Sequence, residues 1–310
     1  ILSGAVGLLF AGLFLWWKGK RGTGGAQAGA AALPSEADDM SPLFRDAELR
    51  LAASPLGSDT RISTLPVIFG IGEANSAKTS TFVNCGAEPE LIGGHVYQEG
   101  YIVPTRAVNV WFARNAVMLE AGGRLLEDGN RWNALLQRLK PKRLRSLFTQ
   151  KKQAPRSAVV YFDVETLMKP GAQESATLVA RKLNARLGEV SRTLGIQLPV
   201  YVIFTRCDRM PFFQEFVGNF SEEEARQVVG VTVPMAFNAR VGVYAEEETR
   251  RLTAVFNDLF LGLADQRPVQ LAREVNAQKL PGVYEFPREF RKIRALAVQF
   301  LIDLCRPSQL

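Results

Sequence analysis

The chain opens with a run of apolar residues that no charge interrupts. Its first 17 residues contain no Asp, Glu, Lys or Arg. As a helix this run would rise about 26 Å, close to the roughly 30 Å of a bilayer core. Lys18, Lys20 and Arg21 follow directly, and basic residues flank the cytoplasmic ends of membrane helices. The pattern predicts a transmembrane helix over residues 1–17, with the chain after Trp17 in the cytoplasm.

Three other interpretations of this run compete with a membrane helix. A secretory signal peptide carries its positive charge before the apolar stretch, whereas here the charge follows it. A buried helix of a soluble domain is the second alternative. An interfacial helix is the third, but it would need a polar face, which this run lacks. Ser3, Gly7 and Ala11 form a stripe of small residues of the kind that lets membrane helices associate, although the same residues could simply face lipid. Because the chain begins at Ile1 rather than Met, we expect it to be a piece of a longer protein.

Residues 18–58 are predicted to form a tether that ends in one short helix. Residues 22–33 are rich in Gly and Ala, a composition typical of flexible linkers. Residues 41–53 have apolar positions at helical spacing, and Pro55 and Gly57 follow them. These two residues favour the end of a helix.

Beyond residue 59, strand and helix patterns alternate, which is typical of an α/β fold with a mostly parallel sheet. A long helix is expected over residues 172–194, and apolar residues at helical spacing run through 290–304. The predicted strands cover residues 65–70, 108–112, 116–120, 157–164 and 199–204. We expect an α/β domain over residues 59–235 and a helical extension over 236–310.

The first predicted strand leads into a candidate phosphate-binding loop. Gly72, Lys78 and Thr79 match three positions of the pattern G-x-x-x-x-G-K-[ST], in which backbone N–H groups and the Lys hold phosphate oxygens and the hydroxyl binds Mg²⁺. Ala77 stands where the pattern has its second Gly. Its Cβ adds bulk at a position where Gly permits positive φ. The match predicts a P-loop NTPase-like fold with a weakened nucleotide site.

Two more motifs follow at the ends of later strands. Glu120 and Gly123 are placed like the D-x-x-G of nucleotide-binding proteins, where the acid holds Mg²⁺ and the Gly amide meets the terminal phosphate. Thr205 and Asp208, with Arg206 between them, resemble the [NT]-K-x-D motif that binds a nucleotide base. Glu120 as a solvated strand end and Asp208 as a helix cap are the alternatives. The order of the motifs favours a site at the carboxyl edge of the sheet.

Composition narrows the class of protein without changing this picture. The 310 residues are 47% hydrophobic and 22% charged, with a net charge of +7, which excludes a disordered or collagen-like chain. The three cysteines have no C-x-x-C spacing and are expected to be small buried residues in a reducing compartment.

Residues 138–156 hold eight Lys or Arg and no acid. A solvated basic loop, contact with acidic lipid or an acidic partner, and nucleic acid are the three interpretations. Since no base-binding pattern accompanies the charge, we expect membrane lipid rather than nucleic acid as a partner.

Several strings outside these motifs resemble one family. They are IVPTRAVNVWFARNAVMLEAGGRL (102–125), the segment from Leu194 to Pro234 with its PVYVIFTRCD core, and VYEFPREFRKIRALAVQFLIDL (283–304). The similarity is to the type VI secretion inner-membrane protein of the TssM/IcmF family and extends along nearly the whole chain.

The resemblance implies a structural component of the envelope-spanning secretion complex, with a degenerate nucleotide-binding domain in the cytoplasm. It implies self-association, an inner-membrane partner (TssL) and an outer-membrane lipoprotein partner (TssJ). An active membrane-anchored ATPase or GTPase is the alternative. Thr105 matches a Thr of the family string that could sense Mg²⁺. Thr105 and Glu120 are the only candidates for a catalytic role.

Under this hypothesis the cofactor is ATP or GTP with Mg²⁺, and a chain that binds no nucleotide is the other outcome. Thr79 and Glu120 are the expected metal ligands. The residues expected to bind nucleotide are Gly72, Ala77, Lys78, Thr79, Gly123, Thr205 and Asp208. The departures from the family strings are Ala77 for Gly, Glu120 for Asp, Ala121 for Thr and Arg206 for Lys.

Overall fold

A computed structural model describes residues 40–57, 60–98, 101–102, 105, 107–140, 154–233 and 244–307. The predicted transmembrane helix, the Gly/Ala-rich part of the tether and most of the basic segment lie outside these ranges. Within them, no helix combines the length and the apolar character needed to cross a membrane.

The centre of the fold is a mixed sheet of six strands. The strands are β1 (Val67–Ile71), β2 (Glu90–Gly93), β5 (Val108–Ala113), β6 (Ala116–Ala121), β7 (Arg156–Asp163) and β8 (Val200–Thr205). Their order across the sheet is β2-β5-β6-β1-β7-β8. Strands β6, β1, β7 and β8 are parallel, while β5 runs antiparallel to both β6 and β2. A separate hairpin joins β3 (Tyr97–Gln98) to β4 (Tyr101–Ile102). The prediction of an α/β fold with a mostly parallel sheet is confirmed.

Helices precede, alternate with and follow these strands along the described chain. They are α1 (Met40–Ala53), α2 (Lys78–Val83), α3 (Gly123–Glu127), α4 (Gly129–Leu139), α5 (Ala172–Leu194), α6 (Phe213–Val217), α7 (Glu222–Ala225), α8 (Tyr244–Asp265), α9 (Arg267–Arg273), α10 (Leu280–Lys292) and α11 (Arg294–Leu304). The predicted helix over 172–194 is confirmed with the same bounds. Asp128 begins α4 by accepting hydrogen bonds from two backbone N–H groups of the first turn, which satisfies donors that a helix start leaves free.

Many more helices pack on one face of the sheet than on the other. On one face, apolar side chains of α1, α4, α5, α8 and α11 form a single large core with the strands. On the other face, within the part of the chain that the structure describes, the six-residue α2 is the only helix in the corresponding core. That smaller core contains Phe82, Val96, Trp111, Ala113, Met118 and Tyr161.

The C-terminal helices belong to the large core. Phe300 of α11 packs on Phe162 of β7, with ring centroids 3.9 Å apart, and on Phe204 of β8 at 6.3 Å. The apolar residues at helical spacing over 290–304 therefore pack in the core. They belong to two helices rather than one, because the helix is interrupted at Ile293 between α10 and α11.

The prediction that the cysteines are buried is wrong for two of the three. Cys85 and Cys305 are exposed, and Cys207 is partly buried. Cys85 follows the end of α2, and Cys305 follows the last residue of α11. Both therefore lie just beyond helix ends, where the apolar pattern of the sequence does not indicate whether a residue is buried.

Candidate functional site

The loop of residues 72–77 joins β1 to α2 at the carboxyl end of the parallel strands. A Cβ on Gly72 would lie 2.4 Å from the carbonyl oxygen of Tyr161, so only Gly fits there. Asn75 and Ala77 have φ of 62° and 56°. Both residues thus have left-handed backbone, which Ala77 adopts at an energetic cost because of its Cβ.

Lys78 begins α2 and turns its side chain back over this loop. The residue is 5% exposed. Its Nζ donates to the carbonyl oxygens of Gly72 at 3.0 Å and Glu73 at 2.6 Å, and to Ser76 Oγ at 3.4 Å. Among the described residues, no carboxylate lies within ion-pair distance of Lys78. Burial lowers its pKa to about 8, while the more distant charges of Glu120 and Glu73 favour the protonated form.

Glu120, at the end of β6, is fully buried and receives four side-chain hydrogen bonds. Its Oε1 accepts from the hydroxyl groups of Thr79 and Thr105, the latter at 2.7 Å. Its Oε2 accepts from Asn109 Nδ2 and Trp111 Nε1, each at 3.1 Å. The structure therefore brings together Thr79, Thr105 and Glu120, three residues predicted from separate parts of the sequence. Glu120 is not the solvated strand end of the alternative interpretation.

Gly123 and Thr205 both contact the loop directly. A Cβ on Gly123 would lie 2.4 Å from the backbone nitrogen of Ala74, so this position also requires Gly. Thr205 Oγ1 lies 3.1 Å from the carbonyl oxygen of Ser76 and 3.2 Å from that of Phe162. These contacts attach the end of β8 to the loop, so Thr205 positions the backbone in this structure.

Asp208 follows Thr205 in the short 3-10 turn after β8. Its side chain is 59% exposed, with the nearest described cation, Arg209 Nε, at 3.8 Å. Arg206 has φ of 57° and donates to Asp163 at 2.7 Å. The guanidinium that replaces the usual Lys of the motif is thereby held at the end of β7. The carboxylate of Asp208 is therefore accessible to solvent beside the guanidinium of Arg209.

Sequence reasoning missed Asn109 and Trp111. Both belong to β5, whose apolar residues Val108 and Val110 alternate with them. Asn109 is paired directly with Glu120 across the antiparallel ladder. A polar residue in the middle of an otherwise apolar strand was the available signal, because buried polar groups need partners.

The chemistry of the cluster fits a phosphate group and a hard cation. A buried ammonium with only neutral acceptors suits a polyanion, and carboxylate and hydroxyl oxygens are the ligands that Mg²⁺ prefers. Among the described residues, the backbone N–H groups of Glu73, Ala74, Asn75 and Ala77 donate no hydrogen bond. Consecutive amides of this kind form anion-binding concavities in other proteins.

Comparison with known proteins connects the chain to one family. The sequence profile of the IcmF-related N-terminal domain matches residues 126–310. The matched range includes Thr205 and Asp208 but begins after the loop and Glu120. No solved structure matches the chain.

A curated relative extends the similarity toward the N-terminus. The type VI secretion system component TssM1 of Pseudomonas aeruginosa is 28% identical over 295 residues, which cover 90% of this chain and 24% of the relative. The chain thus spans about a quarter of that protein's length. Because the family profile covers more than half of the chain, the expected assignment is confirmed, and the chain belongs to the IcmF-related family.

Proposed function

We propose that the chain is the part of a type VI secretion component that carries a degenerate nucleotide-binding domain. In this proposal a nucleoside triphosphate binds at the loop of residues 72–77 as a structural or switch ligand and is not turned over at a useful rate. The relative's name supports the secretion role, and the site supports nucleotide binding.

The burial of Lys78 is the observation that carries the nucleotide proposal. A buried charge without a partner is costly, and every acceptor of the Lys78 ammonium is neutral. Phosphate oxygens would supply the missing negative charge. In the bound state Lys78 would hold the phosphates, and the loop amides would donate to them.

Thr79 and Glu120 would hold Mg²⁺, with Thr105 close enough to sense it. Bound Mg²⁺ neutralises phosphate charge, and the chain contributes the oxygen atoms that keep it in place. The Oε1 atom of Glu120 already contacts both hydroxyl groups. A P-loop NTPase-like fold for this domain is part of the proposal.

Two features support slow or absent turnover. Glu120 accepts four hydrogen bonds, so its carboxylate is poorly available as a general base. The Cβ of Ala77 stands in a left-handed turn where backbone would have to pass close to a phosphate. Both features favour a ligand that stays bound over one that is hydrolysed.

The membrane part of the proposal rests on the sequence and on the relative. An inner-membrane location, self-association, and assembly with TssL and TssJ are proposed for the protein to which this chain belongs. Copurification of the full-length tagged protein with TssL and TssJ of the same organism tests this assembly. Recovery of neither partner would contradict it.

A nucleotide titration tests the site. Fluorescent ATP and GTP analogues are added with Mg²⁺ to the 310-residue chain, to Lys78→Ala and to Lys292→Ala. The control residue is a solvated lysine of α10, paired with Glu289. We expect binding that Lys78→Ala abolishes and Lys292→Ala retains, and Ala77→Gly is expected to tighten binding by removing the Cβ.

Phosphate release measured on the same samples separates the two functions. Release by the wild-type chain no faster than by Lys78→Ala supports a structural or switch ligand. Release that depends on Lys78 would favour the alternative, an active ATPase or GTPase, for which the convergence of Thr79, Thr105 and Glu120 is the favouring observation. Absence of binding by the wild-type chain and by Ala77→Gly would reject a nucleotide site.

A further inference from the structure

The four donors to Glu120 divide into two pairs on opposite sides of its carboxylate. Thr79 and Thr105 donate to Oε1; Thr79 belongs to α2, which follows the loop, and Thr105 precedes strand β5. Asn109 and Trp111 donate to Oε2 from the neighbouring strand β5. One oxygen thus faces the candidate ligand site, and the other faces the sheet.

The side chain of Asn109 is held in one orientation. Its Oδ1 accepts from the backbone N–H of His95 at 3.2 Å, so its Nδ2 is the atom turned toward Glu120 Oε2. The same Nδ2 also lies 3.1 Å from Thr105 Oγ1. A Cβ on Gly94 would lie 2.3 Å from Asn109 Oδ1. Because residue 94 is Gly, no side chain there clashes with the Asn109 amide.

Trp111 connects the carboxylate to helix α2. Its indole N–H donates to Glu120 Oε2, and its ring stacks on Phe82 with centroids 6.3 Å apart and planes 8° apart. Phe82 follows Lys78 and Thr79 by one turn of the same short helix. A displacement of α2 would therefore reach Trp111 through the ring contact and Glu120 through the hydrogen bond.

We infer that Asn109 and Trp111 are positioning residues, which hold Glu120 Oε2 so that Oε1 alone is presented to Thr79, Thr105 and a bound divalent cation. This inference rests on the proposed nucleotide site and deepens it. In metal sites the groups that orient the ligands commonly change metal affinity by about 10–100-fold when they are removed.

If Asn109 and Trp111 had only a structural role, the expected result would be different. Glu120 is fully buried, and the four side chains that donate hydrogen bonds to its carboxylate are neutral. Asn109 and Trp111 would then only satisfy a buried acid. Removing their donors would lower the stability of the fold without changing how nucleotide binding depends on Mg²⁺.

The test uses Trp111→Phe, which keeps a ring against Phe82 and removes the N–H. Trp132→Phe is the matched control, because Trp132 is fully buried in the large core and its Nε1 has no hydrogen-bond partner among the described residues. Asn109→Leu is the second variant, with a similar shape and no donors. For each chain, the affinity for a fluorescent nucleotide is measured in EDTA and over a Mg²⁺ titration.

We expect Trp111→Phe and Asn109→Leu to raise the Mg²⁺ concentration at half-effect by about 10-fold or more. Their affinity in EDTA and the Mg²⁺ response of Trp132→Phe should match the wild type. An unchanged Mg²⁺ midpoint in both variants, with lower melting temperatures, would overturn the inference and leave the nucleotide site standing. A wild-type chain that binds no nucleotide would overturn both, and binding equally tight with and without Mg²⁺ would overturn the inference alone.

Discussion

At the scale of single residues, two side chains carry most of the proposed chemistry. Lys78 and Glu120 are 5% and 0% exposed, and each is satisfied by neutral partners. Such groups are costly to bury, and a buried lysine whose pKa is lowered, as that of Lys78 is, is typical of functional sites. The free-energy cost of burying the Lys78 ammonium can be measured directly.

The stability of the chain should depend on the protonation of Lys78. Its pKa is about 8 when folded against 10.5 for a free lysine. Between these pH values the unfolded state binds more protons, so the free energy of unfolding rises with pH in this window. We expect the wild type to gain up to about 3 kcal/mol relative to Lys78→Met on going from pH 8 to pH 10.5.

Urea unfolding of both chains across this pH range measures the difference. Other groups that titrate are common to the two chains and cancel in it. A difference that does not change with pH would mean that Lys78 titrates normally and that its ammonium is well solvated in the folded protein.

At the scale of elements, helix α2 is short and depends on one side chain for its position. Phe82 packs between Trp111 and Tyr161, with centroid distances of 6.3 Å and 5.6 Å. It also lies directly over Gly70 of β1. The helix that carries Lys78 and Thr79 is therefore held on the sheet by a small aromatic cluster.

Gly70→Ala should displace this helix. The new Cβ would lie 2.6 Å from two carbons of the Phe82 ring, and the surrounding aromatic rings leave it little room to move. We expect a loss of about 1–3 kcal/mol in the free energy of unfolding, together with weaker nucleotide binding.

Gly188→Ala is the matched control for that substitution. Gly188 lies within α5, and a Cβ there would meet no atom within 4 Å. Ala in place of Gly inside a helix should stabilise the chain by about 0.5–1 kcal/mol. If Gly70→Ala also proved neutral or stabilising, α2 would have to be loosely packed.

At the scale of the whole molecule, the sheet and the C-terminal helices share one core. The rings of Phe162, Phe204 and Phe300 meet at this boundary, and Phe256 of α8 packs on Phe204 at 6.2 Å. We therefore expect residues 244–307 and the sheet to unfold together.

Phe300→Ala tests this shared core. Removing a fully buried Phe should lower the free energy of unfolding by about 3–5 kcal/mol. Circular dichroism and tryptophan fluorescence should still follow a single transition. Leu178→Ala, at a position that is 71% exposed, should change stability by less than about 0.5 kcal/mol. Two separate transitions would mean that the helices form an independent unit.

Local patterns along the sequence were sufficient for much of this protein. Continuous apolar runs located the central strands, because strands of a parallel sheet are buried on both faces. Motif spacing placed Lys78, Thr79, Glu120 and Gly123 at or just beyond the carboxyl ends of strands, and family strings added Thr105. Exposure at helix ends was not predictable in this way, which is why the expectation for Cys85 and Cys305 failed.

The sequence by itself determined the α/β class, the main elements, the family and which residues could meet at the sheet edge. Only the tertiary structure decided how they meet. Pairing of β5 with β6 sets Asn109 opposite Glu120, and Trp111 comes within hydrogen-bond reach only because the strands are antiparallel neighbours. Hydrogen bonds to one carboxylate from four separate positions depend on the folded geometry, since their spacing along the chain carries no fixed distance in space.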